Sequence, residues 1–316
     1  MITILEQEPL SKHTNMRVGG PADYFVEVKT QEELIEAIEK AKGLKVPYFI
    51  LGGGTNIVIG DRGYRGMVIK NKMDQIKVIG FKAGLQKASN VGVRDIYVKA
   101  DTGVLLNRLV RYTLDQELSG IENFLGQPGT IGGAMYINAH NMKENDFFGD
   151  HVAQATLLHH NGELEEVPQH YFKFGYDESV LQYNGAVVIS VTLKLTKGDR
   201  DVIWEKATAA QNHRHTTQPK GWPTAGCTFR NILQSDAMRI GTPNHTKSAG
   251  FLIDSCGLKG KQIGQAMISK EHANFILNLG GATAEDITKL IKLAKREVKA
   301  KFGVQLKEEI VLVGEF

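Results

Sequence analysis

The feature that most constrains this chain is the eight-residue stretch from Gly126 to Gly133, which contains four glycines, one proline and one threonine. Glycine lacks a Cβ and adopts positive φ without strain, so such a stretch brings backbone amides close to a neighbouring group. Successive amides in mixed conformations form a concavity that favours anions, above all a cofactor's diphosphate. The residues predicted to form this anion-binding loop are Gly126, Pro128, Gly129, Thr130, Gly132 and Gly133.

A second glycine loop, Gly52 to Asn56, lies about seventy residues upstream and follows the strand-like run Pro47 to Leu51. This position allows it to meet the first loop. Neither loop is a P-loop, because no Gly-Lys-Ser/Thr follows, and neither has the G-x-G-x-x-G spacing of a dinucleotide-binding Rossmann unit. From composition alone, the triple glycine is also compatible with tight turns in an α/β protein.

Length and composition indicate a soluble globular protein of two or three domains, with 316 residues, 42% hydrophobic and 23% charged. The net charge of +3 is too small to predict nucleic-acid binding and is compatible with anionic small ligands. Cys227 and Cys256 lie far apart and form no C-x-x-C, so neither a zinc site nor a redox pair is predicted. No apolar run is long enough to span a bilayer, and Met1 to Asn15 lacks a signal-peptide pattern, so we predict a cytoplasmic protein.

Strand and helix patterns alternate along the first two thirds of the chain. Thr30 is placed to cap a helix that runs to Lys42, and the segment Ala153 to Val167 is typical of a hairpin that turns at Asn161-Gly162. We place the main domain boundary near Gly198, with domains 1–198 and 199–316 and with two lobes, about 1–70 and 71–198, in the first. Further predicted elements are strands at Asp23–Lys29, Ile50–Leu51, Met67–Ile69, Asp95–Ala100 and Ala186–Leu195, and a helix at Leu105–Leu118 with Leu105, Leu106, Leu109 and Val110 packed inward.

The last third has the pattern of a smaller α+β unit. Thr283 and Asp286 resemble a capping box, and the helical spacing of apolar residues continues to about Phe302. Gly303 is placed to end this helix, and Ile310 to Val313 is predicted to be a strand. Glu308 and Glu309 therefore lie at a strand entrance, where a carboxylate can point into a cleft.

Several motifs occur in one order along the chain, and together they resemble the UDP-N-acetylenolpyruvoylglucosamine reductase (UDP-N-acetylmuramate dehydrogenase) family. The resemblance runs from about Thr14 to Gly314, and the short connection Lys197 to Asp201 leaves no room for the tyrosine-bearing insertion of one branch, so the chain resembles the shorter branch. The motifs are Thr14–Ala22, Gly52–Asn56, Gly126–Gly133 with Tyr136 and Asn138, Gln218-Pro219, Ala225–Asn231, Ser248–Asp254, Gly257–Gly260 and His272–Phe275.

The resemblance implies an oxidoreductase of peptidoglycan biosynthesis. It implies a two-lobed FAD-binding domain of the vanillyl-alcohol oxidase (PCMH) type, with non-covalent FAD, followed by a smaller α+β domain that closes over a UDP-sugar. NADPH would reduce FAD, and the enolpyruvyl group of the UDP-sugar would then accept a hydride and a proton. We expect a monomer without metal, nucleic-acid or membrane partners. The residues expected to bind FAD are Arg17, Gly52, Gly53, Gly54, Thr55, Asn56 and the six loop residues named above.

Two catalytic residues follow from the resemblance. Hydride arrival pushes negative charge toward the substrate carboxylate, so the site needs stabilising groups there and a proton donor at the adjacent carbon. Cys227 matches the family's Ser/Cys donor position, and Glu309 matches the glutamate that helps to stabilise the intermediate. Without the motifs, a small core cysteine and a solvated carboxylate remain the alternatives. We expect Cys256 to pack in an apolar stretch and Glu308 to be solvated.

Two departures from the family pattern stand out. Asp177, in Phe174 to Ser179, occupies the position of an arginine that assists the enolate, and His140-Asn141 replaces small residues after Asn138. Asp177 would oppose the developing negative charge, so another cation has to substitute or the chemistry is impaired. The residues predicted to bind substrate, including the substitute cations, are Tyr176, Arg214, Arg230, Asn231, Lys259 and Lys261.

Three functions therefore remain open from the sequence. The first is the FAD- and NADPH-dependent reductase, which the ordered motifs favour. The second is a related FAD oxidase on the same cofactor fold. The third, motivated by Asp177, is a catalytically weakened or inactive homologue that binds UDP-sugar or flavin.

Overall fold

The computed structural model describes residues 2–86 and 90–316, and its mixed helices and strands give an α+β fold. The helices are α1 (Gln31–Gly43), α2 (Leu106–Asp115), α3 (Ile131–Ile137), α4 (Leu181–Asn184), α5 (Arg200–Thr217), α6 (Gln234–Arg239), α7 (Ala249–Ser255) and α8 (Ala284–Phe302). The strands are β1 (Ile4–Pro9), β2 (Pro21–Val28), β3 (Tyr48–Leu51), β4 (Ile57–Ile59), β5 (Tyr64–Asn71), β6 (Ile76–Gln86), β7 (Asn90–Asp101), β8 (Leu118–Ser119), β9 (His140–Asn141), β10 (Asp146–Phe147), β11 (Val152–Leu158), β12 (Leu164–Pro168), β13 (Val187–Lys197), β14 (Thr224–Cys227), β15 (Gln262–Ile263), β16 (Ala266–Ile268), β17 (Phe275–Asn278) and β18 (Val311–Val313).

The chain divides into two compact units that alternate along the sequence. Unit 1 comprises the segment up to Ile4, Val26–Gly53 and Ile69–Arg214. Unit 2 comprises Leu5–Phe25, Gly54–Val68 and His215–Phe316. One four-stranded sheet has the order β1-β2-β5-β3.

Unit 1 is built on the sheet β12-β11-β13-β7-β6, in which each neighbouring pair is antiparallel, and β8 also pairs with β13. Its core contains apolar side chains of this sheet, of α2 and of α3, including Val98, Leu109, Ile131 and Leu193, all fully or almost fully buried. Burial of these side chains stabilises the unit because it removes apolar surface from water.

Unit 2 contains the antiparallel sheet β14-β17-β16-β15 and the parallel pair β4 and β18. The helix α8 packs against this unit's core through an apolar face that includes Ile287, Leu290 and Val298. Asp61 accepts hydrogen bonds from the backbone amides of Ala284 and Glu285 at 2.8 and 2.9 Å, so a carboxylate stabilises the first turn of α8.

Several predicted elements are confirmed. Thr30 caps α1 by accepting a hydrogen bond from the Glu33 amide, and β11 and β12 form the predicted antiparallel hairpin. Thr283 and Asp286 form the capping box of α8, and Gly303 ends that helix with a φ of 66°. Local sequence signals were sufficient here because each feature depends on residues only a few positions apart.

Other expectations differ from the structure. Leu105, predicted to pack inward, is 55% exposed, because α2 begins one residue later and Leu105 is its N-cap. The helix also ends at Asp115 rather than Leu118, which lies in β8. The division at residue 198 stays a prediction about domains; the compact units instead assign α5 up to Arg214 to unit 1.

Within residues 2–86 and 90–316, no helix is long and apolar enough to cross a membrane. The same described residues contain no cluster of three or more His, Cys, Asp or Glu side chains arranged to hold a metal ion.

Candidate active site

The two glycine loops meet within unit 1, as the sequence predicted. The chain leaves β3 at Leu51, and a Cβ added to Gly52 would lie 2.4 Å from Thr130 Oγ1. Thr130 is the N-cap of α3, and its side chain accepts a hydrogen bond from the Gly133 amide at 3.4 Å. Only glycine fits at position 52, since any other residue would overlap the threonine hydroxyl.

Fewer amides of the Gly126 loop can bind a ligand than its composition suggests. Those that donate hydrogen bonds inside the protein belong to Gly126, Gln127, Ile131, Gly132 and Gly133. The amides of Gly129 and Thr130 donate no hydrogen bond to any described residue. Pro128 has no amide hydrogen. In this loop, the amides that remain for a ligand are therefore those of Gly129 and Thr130, which is fewer than the composition suggests.

Lys70, the second-last residue of β5, is a buried cation next to the Gly52 loop. Its side chain is 9% exposed, and Nζ donates a hydrogen bond to the Gly52 carbonyl at 2.6 Å. The pKa of Lys70 is lowered to about 8, mainly by burial and also by the charge of Lys72, while Glu27 opposes the decrease. Sequence reasoning missed this residue. The available signal was a lysine that directly follows the apolar run Met67 to Ile69.

The two departures noted in the sequence lie beside one another in unit 1. His140 Nδ1 is 3.5 Å from Asp177 Oδ1, and the side chains are 14% and 1% exposed. The ring of Tyr176 lies 4.9 Å from that of His140. The pKa of His140 is lowered to about 4, mainly by burial and also by the charge of Arg214, while a hydrogen bond with the Asn138 backbone opposes the decrease. His140 is therefore neutral at pH 7.

Asn138 and the backbone around Asp177 hold this pair in place. Asn138 ends α3 in the left-handed conformation, with a φ of 48°; it donates to the Gly175 carbonyl at 2.8 Å and accepts from the Gly149 amide at 2.9 Å. Asp177 also has a positive φ, 54°, which aspartate tolerates better than most residues. The loop that carries Asp177 is thus fixed to the end of α3.

In unit 2, the segments that carry Cys227 and Glu309 are joined directly. Cys227 is the last residue of β14, and the Glu309 amide donates to the carbonyl of the next residue, Thr228, at 2.9 Å. Asn56 donates from its side chain to the Glu309 carbonyl at 3.1 Å. Cys227 and Glu309 are both half-buried. The structure therefore joins the backbone segments that carry the two residues predicted to be catalytic, which lie about eighty positions apart in the chain.

Asn274 anchors the segment after Cys227. It is 3% exposed, and its side chain both accepts from the Phe229 amide at 2.9 Å and donates to the Phe229 carbonyl at 2.7 Å. Its backbone carbonyl accepts from the Thr228 amide at 2.7 Å. The His272 to Phe275 motif thus has a structural role in positioning the β14 end. Neighbouring His272 has a lowered pKa because it is buried.

Arg230 and Asn231 follow this anchored segment in unit 2. The Arg230 amide donates to the Lys307 carbonyl at 2.9 Å, while its buried Nε has no hydrogen-bond partner among the residues that the structure describes. Asn231 accepts a hydrogen bond from the Ala249 amide at 3.2 Å. A buried guanidinium nitrogen without a protein partner is suited to an anionic ligand.

The other predicted cationic residues are Lys259, Lys261, Arg17 and Arg214. Lys259 is exposed and forms an ion pair with Asp254 at 2.7 Å, Lys261 is exposed, and Arg17 is exposed with a φ of 57°. In unit 1, Arg214 donates to the Gln127 side chain at 3.1 Å, which connects it to the Gly126 loop.

Glu308, expected to be solvated, is instead paired. Its carboxylate oxygens accept hydrogen bonds from Lys295 Nζ at 2.7 and 2.9 Å, and both side chains are mostly buried. The error arose because Lys295 lies on α8, thirteen positions away, and no local pattern links it to Glu308.

Comparison with known proteins gives matches over almost the whole chain. Residues 218–313 match the C-terminal domain of UDP-N-acetylenolpyruvoylglucosamine reductase, and residues 22–168 match an FAD binding domain. The reductase of Alkaliphilus oremlandii is 36% identical over 99% of this chain and 94% of its own length. That of Anoxybacillus flavithermus is also 36% identical, over 99% of this chain and 95% of its own length. The chain belongs to the UDP-N-acetylenolpyruvoylglucosamine reductase family.

Solved structures agree with this assignment. A UDP-N-acetylenolpyruvylglucosamine reductase from Thermus caldophilus superimposes with a TM-score of 0.76 and 32% identity, covering 99% of this chain and 100% of that one. A VAO-type flavoprotein from Myceliophthora thermophila, at 12% identity and a TM-score of 0.50 over 89% of this chain and 70% of its own, shares the fold alone. As a member of the UDP-N-acetylenolpyruvoylglucosamine reductase family, the chain is an oxidoreductase, and its cofactor is FAD.

Proposed function

We propose that this chain reduces the enolpyruvyl group of UDP-N-acetylglucosamine enolpyruvate to UDP-N-acetylmuramate in peptidoglycan synthesis, with NADPH as the source of hydride. The observation that carries the proposal is the hydrogen bond at 2.9 Å between the Glu309 amide and the Thr228 carbonyl. This bond joins the segments that carry Cys227 and Glu309, the two residues that the reaction needs. The relatives of the chain are named as the reductase.

The glycine loops of unit 1 fit the diphosphate of FAD. Gly52 leaves an open approach beside Thr130, and the amides of Gly129 and Thr130 have no partner among the described residues. Backbone amides that donate to no protein group are suited to an anionic acceptor, which phosphate oxygens supply. We assign FAD binding to the residues predicted above: Arg17, Gly52, Gly53, Gly54, Thr55, Asn56, Gly126, Pro128, Gly129, Thr130, Gly132 and Gly133.

Bound at these loops, FAD would supply hydride transfer from NADPH to the enolpyruvyl double bond. Cys227 donates the proton to the carbon next to the substrate carboxylate, so that one hydride and one proton together saturate the double bond. Negative charge develops on the carboxylate side before that proton arrives. Glu309 stabilises it as a hydrogen-bond donor in its protonated form, because an ionised carboxylate would repel the charge.

The substrate's anionic groups need cations to bind them. The proposed cationic ligands differ in whether they already have partners in the protein. Arg230 has a buried Nε without a protein partner in the described residues, and Arg214 carries a charge that already acts on His140. These two are the strongest candidates to replace the arginine expected at Asp177. Lys259, already paired with Asp254, is a weaker one. Tyr176, Asn231 and Lys261 complete the proposed substrate ligands.

The proposal is tested with the purified yellow holoprotein. NADPH should bleach the flavin absorbance, and the enolpyruvyl UDP-sugar should then restore it without oxygen. Restored absorbance together with formation of UDP-N-acetylmuramate supports the reductase. Bleaching followed by no anaerobic recovery contradicts it.

A second candidate is a UDP-sugar- or flavin-binding module with little or no turnover. It is favoured by one observation, the buried carboxylate of Asp177 beside His140 where the resemblance calls for arginine. Tight binding of the UDP-sugar without anaerobic reoxidation would select this function over the reductase.

A further inference from the structure

Lys70 is a buried charge that the proposed reaction does not use. It lies on β5 in unit 1, is 9% exposed, and its Nζ donates to the Gly52 carbonyl at 2.6 Å. Burying an ammonium group costs free energy unless it makes strong hydrogen bonds. This contact directs the ammonium group at the loop that contains Gly52.

The geometry of the peptide bond links Lys70 to the next amide. A trans peptide is planar, so its C=O and its following N–H point in opposite directions. When Lys70 holds the Gly52 carbonyl, it therefore also sets the direction of the Gly53 N–H. Gly52 is flanked on another side by Thr130 Oγ1, where a Cβ would come within 2.4 Å, so this peptide is constrained by two neighbours.

We propose that Lys70 is a positioning residue for the cofactor: it holds the Gly52 carbonyl so that the Gly53 amide is presented to the FAD diphosphate. The inference rests on the proposed assignment of the Gly52 loop to FAD binding. It adds a residue outside both glycine loops, and it assigns the buried ammonium a role in cofactor affinity rather than in catalysis.

This role gives cofactor binding a pH dependence. The protonated ammonium is the stronger hydrogen-bond donor and also attracts the diphosphate, so FAD affinity should fall as pH rises through the pKa of Lys70, about 8. The charged groups that act on Lys70 include Lys72, which directly follows β5, and Glu27 on β2. Bound diphosphate favours the protonated amine of Lys70, so the pH midpoint for the loss of FAD affinity lies above the pKa of Lys70 in the FAD-free protein.

As pH rises, the contribution of Lys70 to the stability of the FAD-free protein should increase, whereas FAD affinity should decrease. The unfolded chain holds the Lys70 proton up to the ordinary pKa of 10.5, whereas the folded chain releases it near 8. Unfolded molecules thus bind more protons between these values, and this group's contribution to the free energy of unfolding rises with pH there. Weaker FAD binding at alkaline pH cannot then be explained by loss of fold at this site.

The test is equilibrium dilution of the holoprotein, with released FAD followed by flavin fluorescence from about pH 7 to about pH 9. Lys70→Met should raise the Kd for FAD about ten- to a hundredfold at pH 7, the effect of losing a charged hydrogen bond, and should flatten its pH dependence. Lys70→Arg should retain most of the affinity. Lys72→Met, which removes an exposed lysine two residues away, is the matched control and should keep the wild-type Kd to within a few-fold.

Circular dichroism and melting temperature report whether each variant is folded. A folded Lys70→Met protein with the wild-type Kd and pH profile overturns the inference. If that variant does not fold, a wild-type Kd that stays constant across the pH range overturns it equally. A wild-type protein that carries no FAD would instead refute the proposed cofactor role of the loop.

Discussion

His140 Nδ1 lies 3.5 Å from Asp177 Oδ1, and both side chains are buried in unit 1. The resemblance predicts departures from the family pattern at Asp177 and at His140-Asn141, and the structure places His140 and Asp177 next to each other. A histidine and an aspartate in contact support one another's burial, because each offers the other a polar neighbour. We interpret them as a paired change rather than two independent ones.

Coupling between His140 and Asp177 is therefore expected. His140→Ala and Asp177→Ala should each lower the free energy of unfolding, and the double variant should lose less than their sum, by about 0.5–3 kcal/mol. Urea unfolding of the four proteins measures this. The control cycle uses His159 and Glu165, an exposed pair at 2.6 Å in the same unit, for which coupling should be under about 1 kcal/mol. Additive losses at His140 and Asp177 would contradict the pairing.

The protein should lose stability in mild acid because of His140. Its folded pKa is about 4, below the ordinary 6.5, so the unfolded chain binds the extra proton between these values. The free energy of unfolding should fall as pH decreases through this window, by about 2–3 kcal/mol from this group. His140→Gln should remove that part of the slope in urea titrations at several pH values, whereas His159→Gln should leave it in place. If the free energy of unfolding of His140→Gln has the same pH dependence as the wild type, His140 is not the cause of the acid destabilisation.

Replacing Gly52 by alanine should weaken FAD binding. The new Cβ would lie 2.4 Å from Thr130 Oγ1, so the loop must shift, at a cost of about 1–3 kcal/mol. A rise in the Kd for FAD of tenfold or more, measured by flavin fluorescence, is expected. Gly43→Ala is the control, because a Cβ there meets no atom within 4 Å. Equal affinity in both variants would show that the Gly52 loop does not contact the cofactor.

Removing the Cys227 thiol should affect only the second half-reaction. In Cys227→Ala, bleaching by NADPH should proceed at the wild-type rate, while reoxidation by the enolpyruvyl UDP-sugar should slow about 10²–10⁴-fold. Stopped-flow absorbance separates the two steps, and Cys227→Ser should recover much of the rate. Cys256→Ala is the control: this thiol packs against the unit 2 core, and burial raises its pKa. Normal reoxidation in Cys227→Ala would assign the proton to another donor.

The adjacent residues Glu308 and Glu309 should respond differently to the same substitution. Glu309→Gln should slow reoxidation about tenfold or more, because the glutamine amide is a weaker hydrogen-bond donor than the carboxylic acid it replaces. Glu308→Gln should leave reoxidation intact and lower the free energy of unfolding by about 1 kcal/mol, since it breaks the ion pair with Lys295. Stopped-flow kinetics and urea unfolding of both variants provide the comparison. If Glu308→Gln slowed reoxidation and Glu309→Gln did not, the catalytic glutamate would be Glu308 rather than Glu309.

Sequence patterns predicted the elements that depend on near neighbours in the chain. The capping box of α8 and the hairpin of β11 and β12 each involve residues within one turn or one tight loop. The glycine loops were predictable because glycine is concentrated where a backbone has to turn sharply or approach a neighbouring group closely. Their meeting, at Gly52 and Thr130, was predicted from the position of the second loop after a strand and is confirmed.

Contacts between distant segments could not be predicted from local sequence patterns. His140 and Asp177 were each noted as unusual, but no periodicity links a position after α3 with one in the loop before α4. Lys70 was missed because a lysine at a strand end is ordinary, and only its burial and its bond to Gly52 make it notable. The exposure of Leu105 follows from a one-residue shift in the start of α2, which hydrophobic spacing does not resolve.

The parallel pairing of β4 with β18 has a consequence for biosynthesis. Ile57 is opposite Val311, so β4 emerges from the ribosome about 250 residues before its partner strand exists. At ordinary elongation rates of about 5–20 residues per second, that interval lasts more than ten seconds. During it, the unpaired edge of β4 is open to other strands. A chaperone that shields residues near Ile57 on nascent chains would therefore raise the yield of folded protein more than one that acts after release.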